Sequence, residues 1–162
     1  MAKAAKEKII VGVDGSDASI EALRQGSRLA QALGTRLEAW ACWEYPAGYE
    51  GYLAMGVEGF AREAEENLEH ALGEAFGPER PRQASARLVH GSARTSLVDG
   101  SRRASLLVVG RRGHGGFAGL LLGSVSAACV AHAHCPVLVV HSPPGGRTRF
   151  VGDLRRRSVS LA

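Results

Sequence analysis

The residues with the clearest chemical potential form a glycine-rich segment that ends in two serines. Five glycines lie within residues 110–119, and Gly123, Ser124 and Ser126 follow at the predicted start of a helix. Backbone N–H groups in such a loop, together with the positive end of a helix dipole, bind anions. Glycines let the main chain approach phosphate oxygens closely, and serine hydroxyls in the first helical turn can donate to them. The segment therefore favours a phosphate site.

Other phosphate motifs do not fit, although a purely structural glycine loop stays open as an alternative. A P-loop requires a Gly-Lys-Ser or Gly-Lys-Thr sequence, but all three lysines lie within residues 3–8, ahead of the predicted sheet core. The letters Gly113-x-Gly115-x-x-Ala118 fit the dinucleotide fingerprint. No acidic residue follows about 20 positions later, where the ribose partner of that fingerprint is expected. Both motifs are therefore discarded.

Metal and hydrolase chemistry find less support. The sequence Cys129-x2-His132-x-His134-Cys135 has the letters of a zinc site. We expect Cys129 on a helix and Cys135 just before a buried strand, so four-ligand closure would unwind the helix end, and a buried cysteine usually behaves as a small hydrophobe. No Gly-x-Ser-x-Gly nucleophile elbow is present.

The order of predicted elements places the candidate residues at one edge of a sheet. Apolar, β-branched runs alternate with helical patterns, which predicts a five-stranded parallel sheet with helices on both faces, a single-domain doubly wound α/β fold of the Rossmann-like type. The predicted strands are 8–13, 36–43, 84–90, 105–109 and 136–141. The first predicted helix follows an N-cap at Ser16 or Asp17 and ends at Leu33, with Gly34 as its C-cap, and the other predicted helices are 60–76, 95–103 and 124–133. Ligands of such folds bind at the carboxyl ends of the strands. Asp14, the residues after Cys42 and the loop from Gly110 should meet there.

Two further segments have open interpretations. Tyr45, Tyr49 and Tyr52 occur among glycines between the second strand and the second helix. They fit either a lid over a bound base or an ordinary surface loop, and the surface loop is the expectation that we prefer. The many acids within residues 58–74 predict a solvated helix face.

The glycine spacing and the flanking strands resemble those of a known family. The spacing Gly110-x2-Gly113-x9-Gly123-Ser124 is similar to the nucleotide-binding motif of the ATP-binding universal stress proteins. The run Ile9-Ile-Val-Gly-Val-Asp14-Gly-Ser16 resembles the opening strand of that family and the acid that follows it. Residues 135–140 resemble the closing strand of the family. The resemblance covers about residues 8–142.

The resemblance implies an adenine nucleotide alpha hydrolase-like fold and an ATP site built from three chain segments. The end of the first strand would lie near adenosine, the end of the second would contact adenine through main-chain groups, and the glycine segment with its helix start would hold ribose and phosphates. The implied nucleotide-binding residues are Val13, Asp14, Cys42, Gly110, Gly113, Gly123, Ser124, Val125 and Ser126. Asp14 could also help to hold Mg²⁺ together with ATP oxygens.

The resemblance further implies a nucleotide-responsive regulator of the stress response that forms a homodimer through strand 136–141 and signals to a protein partner. One carboxylate without a fixed base predicts slow or absent turnover. Three alternatives stay open: a slow ATPase or autophosphorylating enzyme that uses Ser124 or Ser126, a nucleotide-free interaction module, and a binder of AMP or a cyclic nucleotide.

Charge and composition bound the partners and the compartment. The net charge of +4 equals that of residues 145–162, which hold five arginines and one aspartate, so residues 1–144 are neutral. We therefore expect a nucleotide-binding domain over 1–144 and a flexible basic tail over 145–162, and no nucleic-acid partner for the domain. No apolar run is long enough for a membrane span, and three cysteines give no paired framework, which predicts a cytoplasmic protein.

Overall fold

The protein is an alternating α/β chain, which a computed structural model describes over residues 8–48, 58–111 and 121–142. The order of the elements in these ranges is the predicted one. The strands are β1 Lys8–Gly12, β2 Arg36–Trp43, β3 Ala84–His90, β4 Leu106–Gly110 and β5 Val137–Val140. The helices are α1 Asp17–Leu33, α2 Glu58–Phe76, α3 Ala93–Gly100 and α4 Ser124–His132, and a 3-10 turn, Ser101–Arg103, continues α3.

Helix α1 shows how the sequence sets these boundaries. The side chain of Ser16 accepts a hydrogen bond from Ser19 N–H at 3.2 Å and caps the first turn. Gly34 ends the helix in the left-handed conformation, with φ of 63°. Across the described ranges, no helix combines the length and the apolar composition that crossing a membrane requires.

The five strands form one parallel sheet in the order β3-β2-β1-β4-β5. The chain moves outward from β1 to β3 in one direction and then returns to build β4 and β5 on the other side of β1. The strand order therefore switches between β1 and β4, and their carboxyl ends border the crevice where ligands of such sheets bind. The predicted fold class is confirmed.

Helices cover both faces of this sheet. Successive residues of β1 are fully buried and point to opposite faces, so that Ile9 and Val11 join one core while Ile10 joins the other. Buried side chains of α1 and α2, such as Leu23 and Leu72, complete the first core. Leu97 of α3 and Cys129 of α4 belong to the second. The carboxyl ends of β1, β2 and β4 thereby lie at one edge of the sheet.

Candidate functional site

The turn after β1 fixes Asp14 at the switch point of the sheet. Val13 still belongs to the sheet, since its N–H donates to Trp40 O at 2.9 Å. The Oδ1 atom of the exposed Asp14 accepts hydrogen bonds from Ser16 N at 3.0 Å and from Ser16 Oγ at 2.6 Å. Gly15 between them has φ of 82°, a conformation that favours glycine. The first helix cap and the Asp14 carboxylate are therefore held as one unit.

A pocket of about 280 Å³ opens beside this turn, between the ends of β1 and β2 and the start of α2. Buried Val13 and Ala41 contribute apolar surface to it. The full set of lining residues is Val13, Asp14, Ala41, Cys42, Trp43, Glu44, Phe60, Glu63, Ala64 and Asn67. Three of the predicted site residues, Val13, Asp14 and Cys42, thus lie on one pocket.

Helix α2 supplies a wall of the pocket that the sequence reasoning missed. Phe60, Glu63, Ala64 and Asn67 line it at the spacing i, i+3, i+4 and i+7, which is one face of a helix. The expectation of a solvated acidic face is therefore incomplete, because Glu63 belongs to the pocket. The signal was available in this periodicity, but nothing in the sequence says which end of the helix overhangs the sheet edge.

An aromatic cluster lies at the β2 end of the pocket. The ring of Trp43 stacks on His90 with centroids 4.3 Å apart, and Tyr45 meets Trp43 edge-on at 5.3 Å. Tyr45 also meets Phe60 edge-on, at 6.2 Å, so it joins two residues that line the pocket. Such contacts stabilise by about 0.5–1.5 kcal/mol each beyond area burial. Tyr45 is therefore packed, while Tyr49 and Tyr52 lie outside the described residues.

A second group of predicted residues lies where β4 passes into α4. The first hydrogen bond of α4 runs from Ala127 N to Gly123 O, so the N–H groups of Ser124, Val125 and Ser126 precede it and have no helical acceptor. Gly123 is the N-cap, and Ser124 next to it is exposed. This helix start offers backbone donors to an anion.

The side chains around this helix start are already engaged. The buried hydroxyl of Ser126 donates to Arg111 O at 2.8 Å and lies 3.1 Å from Gly123 O. Arg111 Nε donates to Leu121 O at 2.7 Å, and its guanidinium lies 3.4 Å from His141 Nδ1. Arg111 thus joins the two described ends of the glycine segment. Gly113, the remaining predicted residue of that segment, lies outside the described residues.

Gly110 has a packing role that the sequence did not reveal. A Cβ at this position would lie 2.8 Å from Ala18 Cβ and 3.1 Å from Ser19 N, both in the first turn of α1. The start of α1 therefore rests directly on the end of β4. Because β1 also pairs with β4, with Val11 opposite Val108, the Asp14 turn and the β4–α4 junction are neighbours at the same sheet edge.

The cysteines of this region are weakly reactive. Burial raises the pKa of Cys42 to about 11, against the lowering effect of a side-chain hydrogen bond with Ser96. Burial likewise raises the pKa of Cys129 to about 11. No three histidine, cysteine or acidic side chains converge to hold a metal ion within the described ranges. Cys129 lies in the second core, as the expectation of a small hydrophobe requires.

The charges of the pocket are all of one sign. Its wall carries three carboxylates, those of Asp14, Glu44 and Glu63, and none of its lining residues is basic. Such a wall repels phosphate groups but accepts hydrogen bonds from hydroxyl and amino groups. The pocket therefore suits an uncharged, partly aromatic group, whereas an anion is better placed at the start of α4.

The comparison with protein families decides the relationship. A family model described as the universal stress protein family matches residues 6–141. The chain belongs to the universal stress protein family. Two universal stress proteins of Mycobacterium tuberculosis are similar to it: one is 34% identical over 154 residues, with 84% of this chain and 48% of that protein covered. The other is 32% identical over 143 residues, covering 82% and 47%. The chain spans about half the length of the curated relatives it matches.

Solved structures of the family share the fold. The UspA protein from Lactobacillus plantarum matches with a TM-score of 0.69 and 21% identity, over 85% of this chain and 99% of that chain. A universal stress protein solved in complex with cAMP matches with a TM-score of 0.53 and 30% identity, over 85% and 98% of the two chains. The predicted family and its fold are both confirmed.

Proposed function

We propose that this universal stress protein binds an adenine nucleotide, ATP in particular, at the carboxyl edge of its sheet. The observation that carries the proposal is the pocket beside Asp14, at the same edge of the sheet as a helix start with open backbone donors. The nucleoside occupies the pocket, and the phosphates reach Gly123, Ser124 and Val125. This arrangement uses the two groups of predicted residues together.

The size of the pocket agrees with this division of the ligand. Its volume of about 280 Å³ lies at the lower end of the roughly 300–1,000 Å³ that is usual for small-molecule sites. A nucleoside fits such a space, whereas the three phosphates of ATP would extend beyond it. The acidic wall favours the same orientation, because it turns the phosphates away.

The described residues offer Mg²⁺ little beyond Asp14. Its Oδ1 is occupied by Ser16, and no cluster of three ligating side chains exists in the described ranges. Mg²⁺ is commonly bound through one or two carboxylates together with substrate phosphates. We therefore propose that Mg²⁺, when present, arrives on the phosphates of ATP and that Asp14 contributes at most one of its ligands.

The family supports an adenine ligand without fixing its phosphates. The solved relative at 30% identity holds cAMP, which carries the same adenosine group as ATP. A cyclic nucleotide is therefore the strongest competitor of ATP in this proposal. Both ligands would place adenosine in the pocket, and they differ only in what they present to the start of α4.

We further propose that the protein is cytoplasmic and that ATP binding regulates a protein partner through the glycine segment between β4 and α4. Strand β5 is the natural dimer edge, because it lies at the border of the sheet and Val137, Leu138 and Val139 are only partly buried. An apolar edge strand pairs readily with another chain. Nucleotide-dependent changes at α4, which precedes β5, would then reach this edge.

The test begins with the nucleotide that copurifies with the protein, identified by chromatography and mass spectrometry. Calorimetry then compares ATP and cAMP on the wild type, Asp14→Ala and Gly123→Val, since both variants should abolish binding while circular dichroism shows an intact fold. Arg62→Ala serves as the control, because Arg62 is exposed on α2 and does not line the pocket. Equal ATP affinity in wild type and both site variants would refute the site.

A further inference from the structure

The wall that α2 builds has a polar end and an aromatic end. Asn67 lies at the polar end, since its Cβ and Oδ1 are 3.6 and 3.7 Å from where a side chain at Gly15 would begin. Phe60 lies at the other end, in edge-on contact with Tyr45. Seven residues separate Asn67 from Phe60 along the helix, which is about 10 Å. Among the lining residues, the aromatic rings thus lie toward one end and the Asn67 amide toward the other, while carboxylates occur at both.

A nucleoside likewise carries an aromatic base at one end and sugar hydroxyls at the other. Laid along α2, its base meets Phe60 and Trp43, and its sugar lies at the Asp14 end, beside Asn67. The opposite orientation would place the hydroxyls among aromatic rings and the base between a carboxylate and an amide. The first orientation also directs the sugar's phosphates toward β4 and α4.

The side-chain amide of Asn67 is available to hydrogen-bond a ligand. Asn67 is half-buried, and within the described ranges its amide has no hydrogen-bond partner. An ionised carboxylate such as Asp14 can only accept hydrogen bonds, whereas an amide also donates two. A sugar hydroxyl that donates to Asp14 still has an oxygen that needs a donor, and the adjacent Asn67 amide supplies one.

We propose that Asn67 determines sugar specificity: its amide donates to the ribose 2′-hydroxyl beside Asp14, so the site selects ribonucleotides over 2′-deoxyribonucleotides. This inference rests on the proposed nucleotide site and adds a residue outside the glycine motif to it. A site built to hydrogen-bond a hydroxyl rejects the analogue that lacks it, because the amide is then left unpaired. One such bond corresponds to about a tenfold difference in affinity.

The experiment measures dissociation constants for ATP and 2′-deoxyATP by calorimetry on the full chain. We expect the wild type to prefer ATP about tenfold. Asn67→Leu, which keeps the bulk but removes the amide, should weaken ATP binding about tenfold and leave 2′-deoxyATP unchanged. Asn67→Asp keeps the shape of the side chain but removes its donors, so it should also lose the preference for ATP over 2′-deoxyATP. This second variant shows whether a packing defect explains the result for Asn67→Leu.

Glu66→Gln is the matched control, since Glu66 is the preceding residue of α2, exposed and outside the pocket, and should retain the wild-type preference. A wild type that binds both nucleotides equally overturns the inference. So does an ATP preference that survives in Asn67→Leu and Asn67→Asp. In both outcomes nucleotide binding itself persists, so the proposed function stands. A wild type that binds neither nucleotide overturns the proposed function and the inference together.

Discussion

Gly110, the last residue of β4, leaves no room for a side chain, and Gly110→Ala measures how much the fold depends on that. The added Cβ would lie 2.8 Å from Ala18 Cβ, 3.0 Å from Ala18 C and 3.1 Å from Ser19 N. Two of these atoms belong to the backbone of α1 and cannot rotate away. The start of α1 must therefore move off the sheet, or β4 must bend.

The expected cost follows from the stiffness of a packed interior. Overpacking of this kind destabilises by roughly 1–3 kcal/mol. The lower chain entropy of an unfolded alanine offsets about 0.4–1 kcal/mol at sites without strain, but this site is strained. We expect a net loss of about 2 kcal/mol in the free energy of unfolding. For a chain of this length that lowers the melting temperature by about 4–8 °C.

A second glycine provides a control with the opposite sign. Gly73 lies in the interior of α2, is exposed, and has no atom within 4 Å of a new Cβ. Gly73→Ala should raise the free energy of unfolding by about 0.5–1 kcal/mol, because alanine is the better helix former. Calorimetric melting and urea denaturation are measured for Gly110→Ala and Gly73→Ala. The two variants make the same glycine-to-alanine change at a packed position and at an open one.

The comparison separates packing from ligand contact at Gly110. Melting of Gly110→Ala at or above the wild-type temperature would refute the packing argument. ATP titration well below the melting temperature then measures whether Gly110→Ala changes the dissociation constant for ATP. Lowered stability with retained ATP binding would assign this glycine to packing against α1, whereas unchanged stability with lost binding would assign it to the nucleotide.

Three further predictions concern other parts of the molecule. Because burial raises the pKa of Cys42 to about 11, iodoacetamide should label it slowly in the folded protein at neutral pH and faster as the pH rises or urea unfolds the chain, as measured by mass spectrometry; rapid labelling of the native protein would contradict its burial. Burial acts to raise the pKa of Glu38, but hydrogen bonds from Trp40 and Lys8 outweigh it and lower that pKa, so the pair contributes stability at neutral pH that is lost as the pH falls through the folded-state value. The difference in the free energy of unfolding between wild type and Glu38→Gln, measured in urea, should therefore shrink as the pH falls from about 6 to about 3. A difference that stays constant would argue against a stabilising Lys8–Glu38 pair. Deletion of residues 145–162 should remove the whole net charge of +4 yet leave the ATP dissociation constant unchanged, and a large loss of affinity would mean that the domain boundary is misplaced.

The sequence predicted the architecture well because local and global signals agree in this chain. Ser16 and Gly34 mark the two ends of α1 by their own backbone chemistry, and the structure uses both as caps. The short, β-branched apolar runs of β1 and β4 are typical of strands buried on both faces, and their central residues are buried in the structure. Parallel strands joined by helices then leave few arrangements of the sheet.

The sequence could not predict how tertiary packing distributes roles within the site. Ser126 was expected to donate to phosphate, but its hydroxyl donates to Arg111 O in the structure. Ser124, the exposed serine of the same turn, is therefore the better phosphate donor in our proposal. No sequence signal pointed to Asn67, because the acids within residues 58–74 predicted only a solvated helix face. Its place on the pocket depends on how far α2 extends past the sheet edge, which no local pattern encodes.

The charge distribution argues that selectivity resides at the nucleoside end of the site. The +4 charge belongs to residues 145–162, the pocket wall is acidic, and Arg111 already directs its Nε–H to Leu121 O. Phosphates at the start of α4 would therefore be held mainly by backbone N–H groups. These donate to phosphate oxygens without selecting for the number of phosphates. In our proposal, by contrast, Asp14 and Asn67 contact the ribose, and the aromatic end contacts the base. Changes in phosphate number should consequently alter affinity less than changes to the sugar, and a much larger effect of phosphate number would place the selectivity in the glycine segment.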